Sequence, residues 1–208
     1  MPNKFTLNKK DVILKRLFDL IVSLCAILFL FPVIVISWVI ASLDTRMNGF
    51  FTQERIGRNG IVFKLLKIRT MQPNKAITTN ITTTKDSRIT KAGAVMRHLK
   101  IDELPQLFNI LKGDMSFVGP RPDVSGFADE LEGSDRIILN IRPGITGPAT
   151  LKYRKEEEIL AFQENPEVFN RKIIWPDKVR INKEYIENYS FFHDLKIIFM
   201  TLIGSSQK

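Results

Sequence analysis

The apolar run from Leu20 to Leu43 contains no charged residue, and it constrains the fold more than any other feature of the sequence. About 20 helical residues span the hydrocarbon core of a bilayer, so this run predicts a membrane helix. Four basic residues precede it: Lys9, Lys10, Lys15 and Arg16. A signal peptide also starts with basic residues, but it has a shorter apolar part that ends at a small-residue cleavage site, so we expect the run to be retained.

Pro32, near the middle of the run, leaves two topologies open. In the first, the helix spans the bilayer, and the positive-inside rule puts the N-terminus in the cytoplasm and everything after Asp44 outside. In the second, the helix kinks at Pro32, which lacks a backbone donor, and returns to the same side in two arms of about 18 Å each. Basic residues also follow the run: Arg46, Arg55, Arg58, Lys64, Lys67 and Arg69. Positive flanks on both sides fit a same-side hairpin better, yet proline kinks are also common in spanning helices.

The chain of 208 residues is long enough for one ordinary domain, and no low-complexity linker divides residues 44–208. We therefore expect a basic segment (1–19), a membrane helix (20–43) and one catalytic or binding domain (44–208). The net charge of +9 favours anionic partners: nucleic acid, acidic lipid or a phosphorylated substrate. No basic stripe with interleaved aromatic residues is present, so we expect no nucleic-acid partner. Cys25, the single cysteine, excludes a disulfide within the chain and is expected to be a small apolar filler.

Periodicity predicts an α-rich α+β domain. The segment Phe63–Ile68 is typical of a short strand, and 72–85 of a surface loop. Leucine and phenylalanine recur at helical spacing between Pro105 and Gly113, which suit the start and the end of a helix. Another helical pattern begins at Pro176. The apolar tail 194–203 is expected to be helical and to pack in the core rather than lie on the membrane surface.

Asp102 and Glu103 stand at the start of the helix that Pro105 and Gly113 bound. Acidic residues are common in a first turn because the helix dipole favours them, so the pair alone does not indicate a site. The same positive helix end would keep a carboxylate ionised and attract a phosphate. An ionised carboxylate can attack phosphorus without a general base, as in enzymes that form an aspartyl phosphate. The pair is therefore a candidate for phosphoryl chemistry.

A carboxylate that attacks a diphosphate needs cations, because phosphoryl transfer depends on positioning and charge neutralisation. The candidate cations are Lys67, Arg69, Arg88, Arg97, Arg121 and Arg142. Arg121 stands out, since the prolines of Gly119-Pro120-Arg121-Pro122 stiffen its loop. The glycines of the turn 143–147 would let backbone amides approach a phosphate. Taken singly, such charges are usually solvated and such turns are usually only turns.

Metal and cofactor motifs are sparse. His98 and His193 are isolated, and no His or Cys set has metal-ligand spacing. Mg²⁺ held by carboxylate oxygens and substrate phosphates remains open. No P-loop or GxGxxG motif supports ATP or dinucleotide chemistry.

Taken together, these motifs resemble the small monotopic phosphoglycosyl transferases, also called bacterial sugar transferases. The resemblance covers nearly the whole chain, and its most specific part is residues 102–122. The matching motifs are Lys15-Arg16-Leu17-Phe18-Asp19, the run with Pro32, Gln53-Glu54-Arg55-Ile56-Gly57, Lys67-Ile68-Arg69-Thr70-Met71, Asp86-Ser87-Arg88-Ile89-Thr90, Asp102-Glu103-Leu104-Pro105-Gln106-Leu107, residues 113–122, Arg142-Pro143-Gly144-Ile145-Thr146-Gly147, Tyr185, Ser190 and Asp194-Leu195-Lys196.

The resemblance implies a re-entrant membrane helix kinked at Pro32 and a catalytic domain on the cytoplasmic face of the bacterial inner membrane, in contact with membrane lipid. It implies that Asp102 attacks a UDP-sugar, releases UMP, and passes the phosphosugar to polyprenol phosphate, with undecaprenyl phosphate as the expected carrier. Mg²⁺ is assigned to Glu103 with Asp102, and substrate phosphate or nucleotide to Arg121. Contacts of the same kind are assigned to Lys67, Arg69, Arg88 and Arg142.

Three positions depart from the family pattern, namely Lys100, Thr150 and Asn182. None of them is the implied nucleophile or metal ligand, but they leave the sugar and nucleotide specificity undefined. The sequence is equally compatible with a monomer and a homo-oligomer. Charge and anchor alone would also fit a basic membrane scaffold without enzymatic activity.

Overall fold

The structure, a computed structural model, describes residues 8–72 and 86–204. Within these ranges the chain is rich in helix with a little strand, as predicted. The helices are α1 (Lys9–Thr45), α2 (Lys91–His98), α3 (Gln106–Lys112), α4 (Pro148–Lys152), α5 (Glu156–Ala161), α6 (Pro166–Phe169), α7 (Trp175–Glu187) and α8 (Phe191–Leu202). The strands are β1 (Phe50–Ile56), β2 (Val62–Ile68), β3 (Ser116–Val118) and β4 (Gly144–Thr146). Most of the loop predicted at 72–85 lies outside the described residues.

The four strands of the described residues form two small sheets. β1 and β2 form an antiparallel hairpin, and β2 confirms the strand predicted at 63–68. β3 and β4 form a parallel pair. The main apolar core lies where α7 and α8 pack against β3 and the turn Gly133–Asn140. The predicted helix after Pro176 and the predicted helical tail are confirmed as α7 and α8.

The apolar run forms most of α1, which continues through Pro32 without interruption. Among the described residues, α1 is the one helix long and apolar enough to cross a membrane. Most of its apolar side chains are exposed, including Leu28 and Phe29. Cys25 is exposed too, so the prediction that it fills a packed interior is wrong. The reason is its place on the outer side of α1, away from the domain.

A narrow stripe of α1 faces the domain instead. Its buried residues are Asp19, Ser23, Ile27, Ile34, Ser37, Ala41 and Thr45. Their spacing of three, four or seven residues keeps them on one side of the helix. Ile27 packs in a cluster with Leu107 and Met115, and Ala41 packs with Ile68 and Met96. The domain therefore contacts α1 on both sides of Pro32.

Two charged residues near the start of α1 bind the segments that carry the functional site. The Arg16 guanidinium donates to two carbonyls at the C-terminal end of α3, at 2.7 and 3.0 Å. Asp19 Oδ1 accepts from the Ser116 hydroxyl and from the Phe117 N–H of β3, both at 3.1 Å. Because the last carbonyls of a helix have no partner within it, Arg16 also completes α3.

Lys15 ties the same end of α1 to the C-terminal helix. Its Nζ lies 2.8 Å from the Val118 carbonyl and 2.5 Å from Asp194 Oδ2. The Asp194 carboxylate also accepts from the hydroxyls of Tyr185, at 2.5 Å, and Tyr189, at 3.0 Å. The two side chains of the ion pair are only 12% and 5% exposed. A buried charge with this many donors is well compensated, so the network joins α1, β3, α7 and α8.

α8 has two different faces. Asp194 and Ile197 are buried, which confirms the expected core packing for one side of the helix. On the other side, Phe192, Phe199 and Leu202 are exposed. The apolar tail therefore packs on the domain and also presents an apolar surface.

We expect Lys15→Met to lower the free energy of unfolding by about 3 kcal/mol, because it leaves a buried carboxylate without its cation. Lys112→Met is the matched control, since Lys112 pairs with Asp114 while 72% exposed, and such surface pairs contribute at most about 1 kcal/mol. Urea unfolding of the detergent-solubilised proteins measures both effects. Equal losses in the two variants would contradict the role assigned to Lys15.

Candidate active site

Asp102 and Glu103 lie in a 3₁₀ turn, Ile101–Glu103, that precedes α3. The prediction that the pair opens the α-helix is therefore wrong. Pro105 has no N–H to donate to the Ile101 carbonyl, so the regular α-helical pattern begins only at Gln106. The end of the helix is as predicted, with Gly113 in the left-handed conformation at φ 100°. A helix as short as α3 does not explain the charge state of the pair, so neighbouring side chains must.

Glu103 is held by two cations. Arg121 Nη2 donates to Glu103 Oε1 at 2.8 Å, and Lys67 Nζ lies 3.8 Å from the same oxygen. Burial alone would raise the pKa of Glu103, but the charges of Arg121 and Lys67 outweigh it and hold the pKa well below its usual range. The carboxylate in return raises the pKa of Arg121. Glu103 is therefore a fixed anion and Arg121 a fixed cation.

Asp102 has a different environment. It is 6% exposed, and among the described residues its Oδ1 atom has no hydrogen-bond partner. Burial raises its pKa and the Glu103 charge adds to this, while Lys67, Arg97 and Lys100 act in the opposite direction. A buried oxygen without a partner is costly in a folded protein, and Asp102 Oδ1 is one of seven such side-chain atoms among the described residues. The raised pKa of Asp102 beside the ionised Glu103 distinguishes it as a candidate for ligand binding. Among the described residues Asp102, unlike Glu103, forms no ion pair.

The loop that carries Arg121 is fixed by close backbone contact between β3 and β4. The Gly119 N–H donates to the Thr146 carbonyl, and the Gly144 N–H donates to the Pro120 carbonyl. A Cβ on Gly144 would lie 2.2 Å from the Gly119 nitrogen, and one on Gly147 would lie 2.3 Å from the Gly119 oxygen. These glycines therefore let two loops touch. The expectation that the amides of the turn 143–147 approach a phosphate is wrong for Gly144, whose N–H is already bonded.

Lys67 comes from β2, opposite Phe51 of β1 in the antiparallel hairpin. Burial lowers its pKa to about 8, although the Glu103 charge opposes the shift. The Lys67 ammonium, beside the acidic pair, therefore loses its proton more readily than an ordinary lysine does.

Arg55, on β1, was not among the predicted site residues. Its guanidinium donates to the Pro122 carbonyl at 3.2 Å and to the Gln53 amide oxygen at 2.7 Å. Burial and then the Arg121 charge lower its pKa to about 10. Arg55 supports the Arg121 loop through its hydrogen bond to the Pro122 carbonyl, and it adds a second positive charge near Arg121. Strand alternation places Gln53 and Arg55 on one face, a signal that would have found them.

The other predicted phosphate-binding residues have different partners. The Arg88 guanidinium donates three hydrogen bonds to the Asp86 carboxylate. Arg69 donates to the Asn48 and Phe50 carbonyls. Arg142 donates to the Gly113 carbonyl. Of the five, Lys67 and Arg121 contact the acidic pair. For Arg69, Arg88 and Arg142 a phosphate contact stays a prediction.

The residues present fit a magnesium ion shared with substrate. In residues 8–72 and 86–204, no three His, Cys, Asp or Glu side chains converge on one point. Mg²⁺ typically binds one or two carboxylates and completes its octahedron with water and substrate phosphates. The unpartnered Asp102 oxygen beside Glu103 suits that arrangement, because the pair would supply two hard oxygen ligands and would leave the remaining positions for water and phosphate.

Comparison with known proteins gives a consistent result. The family model for bacterial sugar transferases matches residues 10–208. The uncharacterized sugar transferase EpsL of Bacillus subtilis is 35% identical over 191 residues, covering 92% of this chain and 86% of EpsL. The exopolysaccharide production protein ExoY of Sinorhizobium fredii is 32% identical over 204 residues, 90% of this chain and 83% of ExoY.

A third relative has a more explicit name. The putative undecaprenyl-phosphate N-acetylgalactosaminyl 1-phosphate transferase of Bacillus subtilis is 36% identical over 163 residues, 74% of this chain and 87% of that protein. The family match covers nearly all of the chain, including the acidic pair, the Arg121 loop and most of α1. The resemblance seen in the motifs is confirmed, and the chain belongs to the bacterial sugar transferase family.

Proposed function

We propose that the protein is a phosphoglycosyl transferase that moves a phosphosugar from a UDP-sugar to a polyprenol phosphate, with Asp102 as a covalent carrier. The observation that carries the proposal is the buried, unpartnered Oδ1 of Asp102 beside a Glu103 that two cations hold. The name of the undecaprenyl-phosphate relative supports undecaprenyl phosphate as the acceptor. The name of ExoY supports a place in exopolysaccharide production, and we propose that the protein acts at the initiating membrane step of surface polysaccharide or glycoconjugate synthesis.

In the first step, a carboxylate oxygen of Asp102 attacks the phosphorus that bears the sugar. A bond forms between that oxygen and phosphorus, and the bond from phosphorus to the bridging oxygen breaks. UMP leaves with the electron pair. A buried carboxylate with a raised pKa is a stronger nucleophile than an exposed one, and Lys67, Arg97 and Lys100 favour its ionised form.

In the second step, a phosphate oxygen of the lipid carrier attacks the same phosphorus. The bond to Asp102 breaks, the carboxylate is restored, and a polyprenyl diphosphate sugar leaves. Neither step needs a general base, because both nucleophiles are already anions. The barrier comes instead from repulsion between anions, and Lys67 and Arg121 lower it by neutralising charge that develops on the phosphoryl oxygens.

Glu103, together with Asp102 before it reacts, would hold Mg²⁺. When bound there, the ion would neutralise phosphate charge and orient the diphosphate. Glu103 stays ionised at any physiological pH because Arg121 and Lys67 depress its pKa. The Arg121 loop, braced by Arg55 and by the β3–β4 contact, keeps this carboxylate in place.

A same-side topology brings both substrates to one site. A nucleotide sugar is made in the cytoplasm and the acceptor is a lipid, so the acidic pair must lie at the inner membrane surface. We propose that α1 is re-entrant, with its kink at Pro32, and that its exposed apolar side contacts lipid. The contacts of the domain with α1 on both sides of Pro32 support this, since in a spanning helix Ile27 and Ala41 would lie in opposite leaflets, where one domain could not pack on both from one face of the membrane.

Purified protein with Mg²⁺ and a panel of UDP-sugars should release UMP and gain the mass of one phosphosugar. Asp102→Asn should do neither, because an amide is a poor nucleophile. Intact-protein mass spectrometry and UMP release measure the two effects. The matched control is Asp114→Asn, on the loop after α3, which should retain both activities. Normal turnover by Asp102→Asn would exclude Asp102 as the nucleophile.

Arg121→Ala should reduce kcat/KM by about 10²- to 10³-fold, the usual loss when one preorganised charge is removed from an active site. It takes away a cation and also releases Glu103. Arg171→Ala is the control, because Arg171 is exposed and pairs only at 3.8 Å with Glu130. Steady-state UMP release measures both. Similar rates for the two variants would rule out a catalytic role for Arg121. An inactive membrane scaffold would release no UMP with any of these proteins.

A single cysteine at Lys196, in a Cys25→Ser background, should resist an impermeant maleimide in intact spheroplasts and react after permeabilisation. Lys196 is exposed on α8, so the thiol is accessible whenever the reagent reaches that side. The re-entrant topology keeps this position in the cytoplasm. Labelling of intact spheroplasts would restore the spanning helix.

A further inference from the structure

The first turn of α5 has three consecutive glutamates, and each has a different environment. Glu156 forms two hydrogen bonds with Lys178, at 2.6 and 2.7 Å, and this pair is mostly buried. Glu157 accepts from Arg97 at 2.6 Å. Glu158 points outward and pairs with an exposed lysine at 3.3 Å. Such a run usually forms one solvated face, so the engagement of Arg97 calls for an explanation.

Arg97 belongs to the helix that packs against the turn of Asp102. It is in the last turn of α2, which packs against the turn Ile101–Glu103. Its charge also favours the ionised form of Asp102. Arg97 is therefore close enough to Asp102 for its charge to act on that carboxylate, yet one of its guanidinium nitrogens is bonded to a carboxylate from α5.

We propose that Arg97 is a donor-binding residue and that Glu157 occupies it until the diphosphate of the donor takes the place of the carboxylate. The inference rests on the proposed function, because that function supplies the diphosphate. An Arg guanidinium binds carboxylate and phosphate with the same fork geometry, so one can replace the other without moving Arg97.

The exchange needs little movement. The side chain of Glu157 is 47% exposed and that of Arg97 is 24% exposed, so the carboxylate can rotate into water. An exposed pair of this kind is weak, and a diphosphate carries more negative charge than one carboxylate. The neighbouring pair of Glu156 with Lys178 keeps α5 in place while Glu157 moves. A ligand without a diphosphate or similar charge does not displace it, so the exchange favours the nucleotide-linked donor over weaker anions.

UDP is the probe for this proposal, since it carries the diphosphate and has no sugar to transfer. Glu157→Gln should bind UDP more tightly than the wild type, by about two- to five-fold, the factor that corresponds to one half-exposed ion pair. Glu158→Gln makes the same change of charge one residue away and should bind UDP as the wild type does. Isothermal titration calorimetry with Mg²⁺ present measures all three. A gain of affinity cannot come from damage to the fold.

The same exchange predicts a split between kinetic constants. With the UDP-sugar that the wild type uses, Glu157→Gln should lower KM and leave kcat unchanged, because Glu157 has left before the chemical step. In an Arg97→Gln background, Glu157→Gln should have no effect on UDP affinity, since no cation is left to release.

Equal UDP affinity in Glu157→Gln and wild type overturns the proposal, and so does an equal gain in Glu158→Gln or in the Arg97→Gln background. Failure of both the wild type and Glu157→Gln to bind UDP overturns it as well. The proposed function is judged separately, by UMP release and the phosphosugar adduct of the wild type. A wild type that turns over while Glu157→Gln binds UDP unchanged refutes the exchange alone.

Discussion

The compensation of charges at the start of α1 is the constraint on which the rest of the structure depends. Arg16 binds the C-terminal end of α3, and Asp19 binds the start of β3. The acidic pair lies just before α3, and the Arg121 loop follows β3. Both halves of the site are therefore fixed by neighbouring residues on one helix, and Lys15 fixes the C-terminal helix to the same point. The family motif 15–19 thus acts at a distance from the chemistry, as its support.

The Arg121 loop shows how the chain makes a rigid site from irregular backbone. β3 and β4 have only three residues each, too few for stability on their own. Glycines at 119, 144 and 147 allow the strands and their loops to approach closely enough for backbone hydrogen bonds. The prolines beside Arg121 then restrict the backbone conformations open to the loop. Arg55 also donates to the Pro122 carbonyl. The result is one cation in a fixed position, where a carboxylate with a strongly depressed pKa lies next to one with a raised pKa.

Local patterns in the sequence predicted what depends on neighbouring residues. The strand at 63–68, the end of α3 at Gly113, α7 and α8 all carry a period or a terminating residue that the structure confirms. Features that depend on contacts between residues far apart in the sequence were missed. Three-residue strands have no readable period, so the β3–β4 pair was not foreseen. Arg55 was noted as a flanking charge and within the motif 53–57 but was given no role, and Arg97 and Glu157 are too far apart in sequence for their contact to be read. The family motifs suggested Asp102, Glu103, Lys67 and Arg121 as site residues, and the structure brings these four together. The motifs did not show which side chains support or compete with them.

The buried stripe of α1 has a consequence for how the protein meets its acceptor. Because the domain packs on both halves of the helix, contacts along much of α1 hold it to the domain. In the proposed topology, with α1 in the bilayer, this side-chain packing would set the height of Asp102 above the lipid. A carrier phosphate must come to that height to react.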